Sequence, residues 1–372
     1  MIDVQSFCEC LKENGFDFFA GVPDSLLSGF CACAGEIFGK RFIISANEGN
    51  AVGLAAGHYL AEGRAAVVFM QNSGIGNAVN PLLSLADKYV YNIPMLLIVG
   101  WRGEPKVKDE PQHIAQGRLT RELFNVMGIE NIVLDDNYRE TVSYCAETVG
   151  QGKRIALIVR KNTFSPYEYN AFKSDFSMTR EQALEIITGS IGERDIVVST
   201  TGKTSRELYE LRERSGSGHG RDFLTVGSMG HASSIAAGLS LSTDRDVYCI
   251  DGDGAFLMHM GASAVNADIS GDNYKYIIIN NGSHESVGGQ PTVGFKMCAE
   301  EVLRGCGFKN VFRAESVDEL RSIIGKMRSV GKSAAVVYVK QGSRNDLGRP
   351  VMTPIENRNA LMEELSNESV DL

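Results

Sequence analysis

Short apolar runs recur along the chain, each closed by glycine, proline or a polar residue. In the first half they are FDFFAGVP, RAAVVFMQ, IPMLLIVG and RIALIVRK; in the second, DIVVST, DVYCIDGDG, YKYIIINN and AAVVYVK. Their apolar positions are nearly continuous rather than alternating, which predicts strands buried on both faces, as in a parallel sheet. The intervening segments, such as Asn50 to Leu60 and Val317 to Val330, have helical spacing. Strand and helix therefore alternate, and the expected fold class is α/β, with doubly wound parallel sheets. Ligands of such sheets sit at the carboxyl ends of the strands. Chemistry is thus expected just after Val22, Met70, Val99, Ser199, Ile250 and Ile279.

The pattern also repeats. Ala55-Ala56-Gly57 returns 181 positions later as Ala236-Ala237-Gly238, and the same offset pairs Gly21 with Gly202, Asn72 with Asp253, and Leu96-Leu97-Ile98-Val99 with Ile277-Ile278-Ile279-Asn280. Further on the offset is 179, pairing Gly128 with Gly307 and Lys161 with Lys340. Two tandem copies of one unit explain these matches, the alternative being α/β grammar common to both halves. The length of 372 residues suits two domains, expected at 1–170 and 178–372. The segment from Asn162 to Ser177, polar, aromatic-rich and containing Pro166, is the expected linker, after which Thr179 and Gln182 predict a helix capping box.

Composition narrows the function classes. A formal charge of −9 argues against a nucleic-acid or anionic-membrane surface, although a locally basic pocket for an anionic substrate remains compatible with it. No apolar run is long enough to span a bilayer, and the acidic N-terminal segment MIDVQSFCECLKENG lacks the apolar core of a signal peptide. Most of the eight cysteines lie in apolar patterned segments, as suits a reducing cytoplasm. Cys8 with Cys10, and Cys31 with Cys33, form C-x-C pairs; buried small hydrophobes are the expectation and a zinc site the alternative.

The sharpest chemical signal is Ile250-Asp251-Gly252-Asp253-Gly254-Ala255, which closes one strand and opens a helix. Twenty-five residues separate Gly254 from Asn280-Asn281, at the end of the next strand. A carboxylate and a carboxamide on neighbouring strand ends suit Mg²⁺, which takes hard oxygens and commonly shares them with phosphates. The glycines allow close backbone approach, and the helix start favours an anion. An EF-hand is excluded, because Ala255 and Ala262 stand where the loop needs oxygen ligands. A dinucleotide fingerprint is disfavoured by the missing third glycine and by the acid at Asp253.

GDG followed by NN resembles the cofactor motif of thiamine-diphosphate enzymes. GVPDSLL, NEGNAVGLAAG, DEPQHIAQG, GSMGHASS, GDGAFLMHMG, NNGSHESVGGQPT and GSRNDLGRP resemble, more narrowly, the phosphonopyruvate decarboxylase group, with sulfopyruvate decarboxylases as neighbours. The resemblance implies thiamine diphosphate and Mg²⁺ as cofactors and two thiamine-binding domains, pyrimidine-binding then diphosphate-binding, without a middle domain. It implies Asp253, Asn281 and the Ser283 carbonyl as metal ligands, and Thr201, Gly202, Lys203, Thr204, Gly254 and Ala255 at the diphosphate. Gly227, Ser228 and Met229 would prop the cofactor in its bent form. Glu48 would contact the pyrimidine nitrogen and so promote removal of the thiazolium C2 proton. Taken alone, Glu48 is also an acid placed well at a helix N-terminus, and Asp24 a helix cap.

The implied reaction is non-oxidative decarboxylation of 3-phosphonopyruvate through a cofactor ylide and enamine, with Asp24 and His113 as acid–base groups. A small 2-oxo acid would be the partner. The active form would be at least a homodimer with active sites between subunits, involving neither nucleic acid nor membrane. An anionic distal group needs cations or aimed donors. Candidates are Ser25, Gln112, Arg102, Arg344 and Arg349, with Lys106 and Lys108 as further loop cations. A nicotinamide oxidoreductase and a non-catalytic protein on a degenerate thiamine scaffold are the readings from other classes.

Overall fold

In a computed structural model the structure describes residues 1–168 and 173–367. Residues 169–172 of the expected linker, and the last five residues of the expected second domain, lie outside the described residues. The chain forms two compact units, Met1–Phe172 with His284–Pro291, and Lys173–Ser283 with Thr292–Leu372.

The first unit is a six-stranded sheet of β1 (Phe19–Gly21), β2 (Phe42–Ile44), β3 (Ala66–Gln71), β4 (Met95–Gly100), β5 (Glu130–Val133) and β6 (Arg154–Val159), in the order β2-β1-β3-β4-β6-β5. The second is built of β7 (Ile196–Ser199), β8 (Asp222–Leu224), β9 (Val247–Gly252), β10 (Tyr274–Asn280), β11 (Asn310–Ala314) and β12 (Ser333–Tyr338). Its order, β8-β7-β9-β10-β12-β11, repeats the first strand for strand. All pairings within both sheets are parallel. β3 and β9 lie 181 positions apart at both ends, and β6 and β12 lie 179 apart. The two sequence offsets are therefore the spacings of equivalent strands.

Helices cover both faces of each sheet, so each unit has two apolar layers. Phe7, Phe30, Phe69 and Leu96 lie in one layer of the first unit, and Ala55, Val68, Leu97 and Phe124 in the other. This double burial explains the continuous apolar runs of β3, β4 and β6, all of whose residues are buried except half-buried Gln71. Cys8, Cys10, Cys31 and Cys33 are buried in the first of these layers. The capping box forms: the Thr179 side chain accepts from Gln182 N, and Gln182 Oε1 accepts from Thr179 N at 3.0 Å. Among the described residues no helix is long and apolar enough to cross a membrane.

Candidate functional site

In the first unit the unusual residues gather beyond the carboxyl ends of β1, β2, β3 and β4. After β1, Val22-Pro23 leads to Asp24, which caps the short turn Ser25–Leu27 by accepting from Leu26 N at 3.0 Å. That turn runs on into the helix Ser28–Phe38. Asp24 is fully buried, and its Oδ1 has no hydrogen-bond partner among the described residues. β4 ends in Gly100 for a steric reason, since a Cβ there would stand 2.0 Å from Asp24 Oδ2. Burial pushes the Asp24 carboxyl up to about 6, against the opposing pull of the Arg102 guanidinium and backbone N–H groups.

Arg102 organises the loop after β4. Its Nε donates to Asp109 Oδ2 at 2.8 Å, its Nη2 also reaches the Asp109 carboxylate, and its Nη1 donates to Ser25 Oγ at 2.9 Å. Asn72, at the end of β3, pins the Arg102 backbone by donating to its carbonyl at 2.8 Å and accepting from its N–H at 3.1 Å. The loop feeds the helix Pro111–Val126, whose first turn carries Gln112 and His113. His113 is buried, and its Nδ1, like Gln112 Oε1, lacks a partner among the described residues. Burial holds the His113 imidazole below its usual pKa, and Arg102 pushes the same way.

Glu48 opens the helix Glu48–Glu62, with Asn47 as its N-cap accepting from Asn50 N at 2.9 Å. Its Oε2 accepts from Asn77 Nδ2 at 2.7 Å. A Cβ at Gly74 would lie 2.2 Å from Oε1, so the carboxylate occupies the space that any side chain at 74 would need. Burial raises the Glu48 pKa, partly offset by Asn77.

In the second unit the corresponding strand ends are β7, β9 and β10. Thr201 and Gly202 follow β7, and Gly202 (φ +91°) turns the chain into the helix Lys203–Ser215, which also contains Thr204. Thr201 Oγ1 donates to Val226 O at 2.8 Å, tying this turn to the segment after β8. There, between Gly227 and half-buried Met229, Ser228 adopts φ +51° and its carbonyl accepts from His231 N at 3.1 Å. A left-handed serine is strained, and such strain clusters at functional sites.

Asp253 is the first residue of the helix Asp253–Met258, directly after β9, and is buried with Gly254 and Ala255. Its carboxylate accepts from the Thr292 hydroxyl and from the backbone N–H groups of Asn281 and Gly254, none of them charged. Burial raises it to about 6 against those bonds. Asn281 Oδ1 accepts from Ser283 N at 3.0 Å, and Gln341 Nε2 donates to the Asn281 carbonyl at 2.5 Å. Asn280 Nδ2 donates to Gly294 O at 2.8 Å.

The candidate cations fare unequally. Arg344 is held by Glu181 at 2.9 Å, by Asp346 at 2.9 Å and by Glu210, so its charge is already balanced. Arg349, Lys106 and Lys108 are exposed. Arg102 is the candidate that the structure ties to the Asp24 segment, through Ser25. Thr292, Asn77, Gly74 and Gly100 do not stand out in the sequence pattern, whereas the repeat marks Asn72 as the counterpart of Asp253. Only the turn-rich run GGQPT hints at Thr292.

Residues 4–125 match the N-terminal TPP binding domain of thiamine pyrophosphate enzymes, and residues 201–339 match the C-terminal TPP binding domain. The phosphonopyruvate decarboxylase of Streptomyces hygroscopicus is 33% identical over 96% of this chain and 92% of its own. That of Streptomyces viridochromogenes is 32% identical over 96% and 93%. The sulfopyruvate decarboxylase of Methanosarcina acetivorans is 27% identical over 96% of each chain.

The buried state of Asp24 has a measurable consequence. Burial holds its folded pKa, about 6, above the 3.8 of an exposed aspartate, so folding favours the protonated form. The resulting stability is fully present below the unfolded pKa and is lost as pH rises through 6. Asp24→Asn keeps an acceptor for Leu26 N and removes the titration. Relative to wild type it is expected to gain stability between pH 4 and pH 7, by up to about 3 kcal/mol. Thermal unfolding of both proteins across that range checks this; a parallel pair of curves would show Asp24 to be ionised at no cost.

Proposed function

Because the chain belongs to the phosphonopyruvate decarboxylase family of thiamine pyrophosphate enzymes, we propose that it converts 3-phosphonopyruvate to phosphonoacetaldehyde and CO₂. The reaction breaks the bond between the carboxylate and the keto carbon, releases CO₂, and places one proton on the former keto carbon. The observation that carries this reading is the pair Asp24 and His113. Both are buried, both feel the Arg102 charge, and burial moves their pKa values in opposite directions, the acid up and the base down. Such a pair can hold a proton in one step and deliver it in another near neutral pH.

The residues fit the cofactor. Asp253 is a buried carboxylate with only neutral donors around it, and with the Asn281 carboxamide and the Ser283 carbonyl it would give Mg²⁺ hard oxygen ligands. Lys203 stands at the first position of its helix, where the helix field disfavours a cation and an arriving diphosphate would reverse the balance. Thr201, Gly202, Thr204, Gly254 and Ala255 would line that diphosphate. Gly227, Ser228 and Met229 would support the rings, and Glu48 would hold the pyrimidine nitrogen. When bound, thiamine diphosphate supplies the sink for the electron pair that CO₂ leaves behind. Asp24 and His113 then manage protons at the keto oxygen and keto carbon, and Ser25, Gln112 and Arg102 orient the substrate.

Turnover of 3-phosphonopyruvate, sulfopyruvate and pyruvate by purified protein with thiamine diphosphate and Mg²⁺ tests the assignment. Phosphonopyruvate is expected to exceed pyruvate in kcat/KM by at least about 10²-fold, or roughly 2.7 kcal/mol, within reach of one or two charge-assisted contacts. Equal rates would refute a distal-anion substrate, and a preference for sulfopyruvate would move the assignment to that neighbouring activity.

Glu48→Gln preserves shape but cannot relay a proton. Calorimetry is expected to find the cofactor still bound, while turnover and cofactor C2 proton exchange fall by about 10² or more. Normal exchange in this variant would assign activation to another group.

The chain is further proposed to act as a homodimer or larger homo-oligomer whose sites combine groups from two subunits. Leu119, Leu123 and Val126 form an exposed apolar stripe at helical spacing on Pro111–Val126, the kind of surface that a self-association contact covers. Glu48→Gln and Asp253→Ala chains, each inactive alone, are expected to regain part of the wild-type activity when refolded together. No recovery from a verified hybrid would mean that each chain carries its own complete site.

A further inference from the structure

One buried polar side chain has no part in the chemistry assigned so far. The segment His284–Pro291 belongs to the first compact unit, and its turn Glu285–Val287 packs against Ser25–Leu27, the turn that follows Asp24. Backbone bonds close the segment on itself. His284 N donates to Gln290 O at 2.9 Å, and Val287 N and Gly289 N both donate to His284 O at 3.1 Å. Gly288 (φ +130°) and Gly289 (φ +79°) make this tight closure possible. The closure turns Gln290 inward until it is 3% exposed.

Both polar atoms of the Gln290 amide, Oε1 and Nε2, are then out of water and without a hydrogen-bond partner among the described residues. A Cβ at Gly288 would lie 2.7 Å from Gln290 Oε1 and 3.0 Å from Ser28 Cβ, which places the amide beside the start of the helix Ser28–Phe38. A buried amide left unpaired on both sides is costly, and such exceptions need a reason. Ser25, in the turn against which the segment packs, accepts from Arg102 Nη1 through its Oγ and retains its own proton for a further acceptor. Two neutral donors thus lie on segments in contact, Ser25 on its turn and Gln290 at the far end of the closed segment, with a guanidinium bonded to the first.

We propose that Gln290 determines specificity for the distal group of the substrate, its Nε2 and the Ser25 hydroxyl donating to an anionic tetrahedral group in the field of Arg102. The assignment rests on the decarboxylase reading above. The substrate's carboxylate is the wrong partner for these donors, because stabilising it in the ground state would oppose loss of CO₂. The amide also offers an acceptor, Oε1, as unsatisfied as its donor. A phosphonate carrying one proton presents both P–O⁻ acceptors and a P–O–H donor and would complete both atoms. A sulfonate has no proton to give and would leave Oε1 bare. Gln290 therefore favours phosphonate over sulfonate, since a site with a buried polar group rejects the analogue that leaves it unpaired.

The test compares kcat/KM of wild type, Gln290→Met and Ser25→Ala, each as cofactor-loaded enzyme, on 3-phosphonopyruvate, sulfopyruvate and pyruvate. Gln290→Met matches the length of the side chain and removes both polar atoms. It is expected to lower the phosphonopyruvate-to-pyruvate ratio by about tenfold or more, and to narrow the phosphonopyruvate-to-sulfopyruvate ratio by a similar factor. Ser25→Ala is expected to lower the first ratio and to leave the second nearly unchanged. Thermal unfolding should show no loss of stability in Gln290→Met, because an unpaired amide is exchanged for an apolar chain. Equal losses on all three substrates, or unchanged ratios, would overturn the assignment to Gln290 alone. Wild-type protein that turns over none of the three would overturn the decarboxylase reading and this assignment with it.

Discussion

A carboxylate taken out of water must find something to replace its hydration, and several in this molecule find only neutral partners among the described residues. Asp24, Glu48 and Asp253 are buried at strand or helix ends, and each is met by neutral hydroxyl, amide or backbone donors rather than by a salt bridge among the described residues. Folding alone would reward exchanging any of them for an apolar or amide side chain. The parallel sheets supply the apolar burial that tolerates the expense, and their carboxyl ends supply the backbone donors that limit it. What remains is a set of carboxyls whose pKa values burial pushes upward, a property of the fold before any ligand arrives.

The central part of each sheet was legible from the sequence and the margins were not. β1, β3, β4 and β6, and their counterparts β7, β9, β10 and β12, are the strands that the apolar runs predict. The strands that the runs do not mark, β2, β5, β8 and β11, are the four outermost ones. An edge strand packs against one neighbour and is only partly covered; β2 and most of β5 are half-buried, and β11 alternates. Their sequences therefore lack the continuous apolar signature. The internal repeat was legible for a related reason. Its offsets follow strands whose buried residues are constrained in both copies, and they shift where the connecting loops differ in length.

The candidate site divides in a similar way. Asp24, Glu48, His113 and Asp253 were named because local motifs carry them, and the structure places all four in buried positions. Thr292, Asn77 and Gln290 carry no such individual signal, because their importance lies in what a distant segment brings beside them. Thr292 meets Asp253 across 39 positions, and Asn77 meets Glu48 across 29. Loop cations showed the opposite failing. Arg344 looked available in the sequence and is committed to acids from remote segments, Glu181 and Glu210. Charge on a loop says nothing about which carboxylate has already claimed it.

Gly74 and Gly100 are small residues whose missing side chains are filled by Glu48 and Asp24. Each glycine and its acid thus occupy one volume between them. If either position mutates first, the change is penalised for a different reason: a larger residue at the glycine displaces the carboxylate, while a smaller residue at the acid leaves a hole beside bare backbone. Drift at the glycine is closed for as long as its acid stays in place. Diverging copies of this chain should therefore lose the acid before the glycine, since only after the carboxylate is gone does the glycine become free to vary.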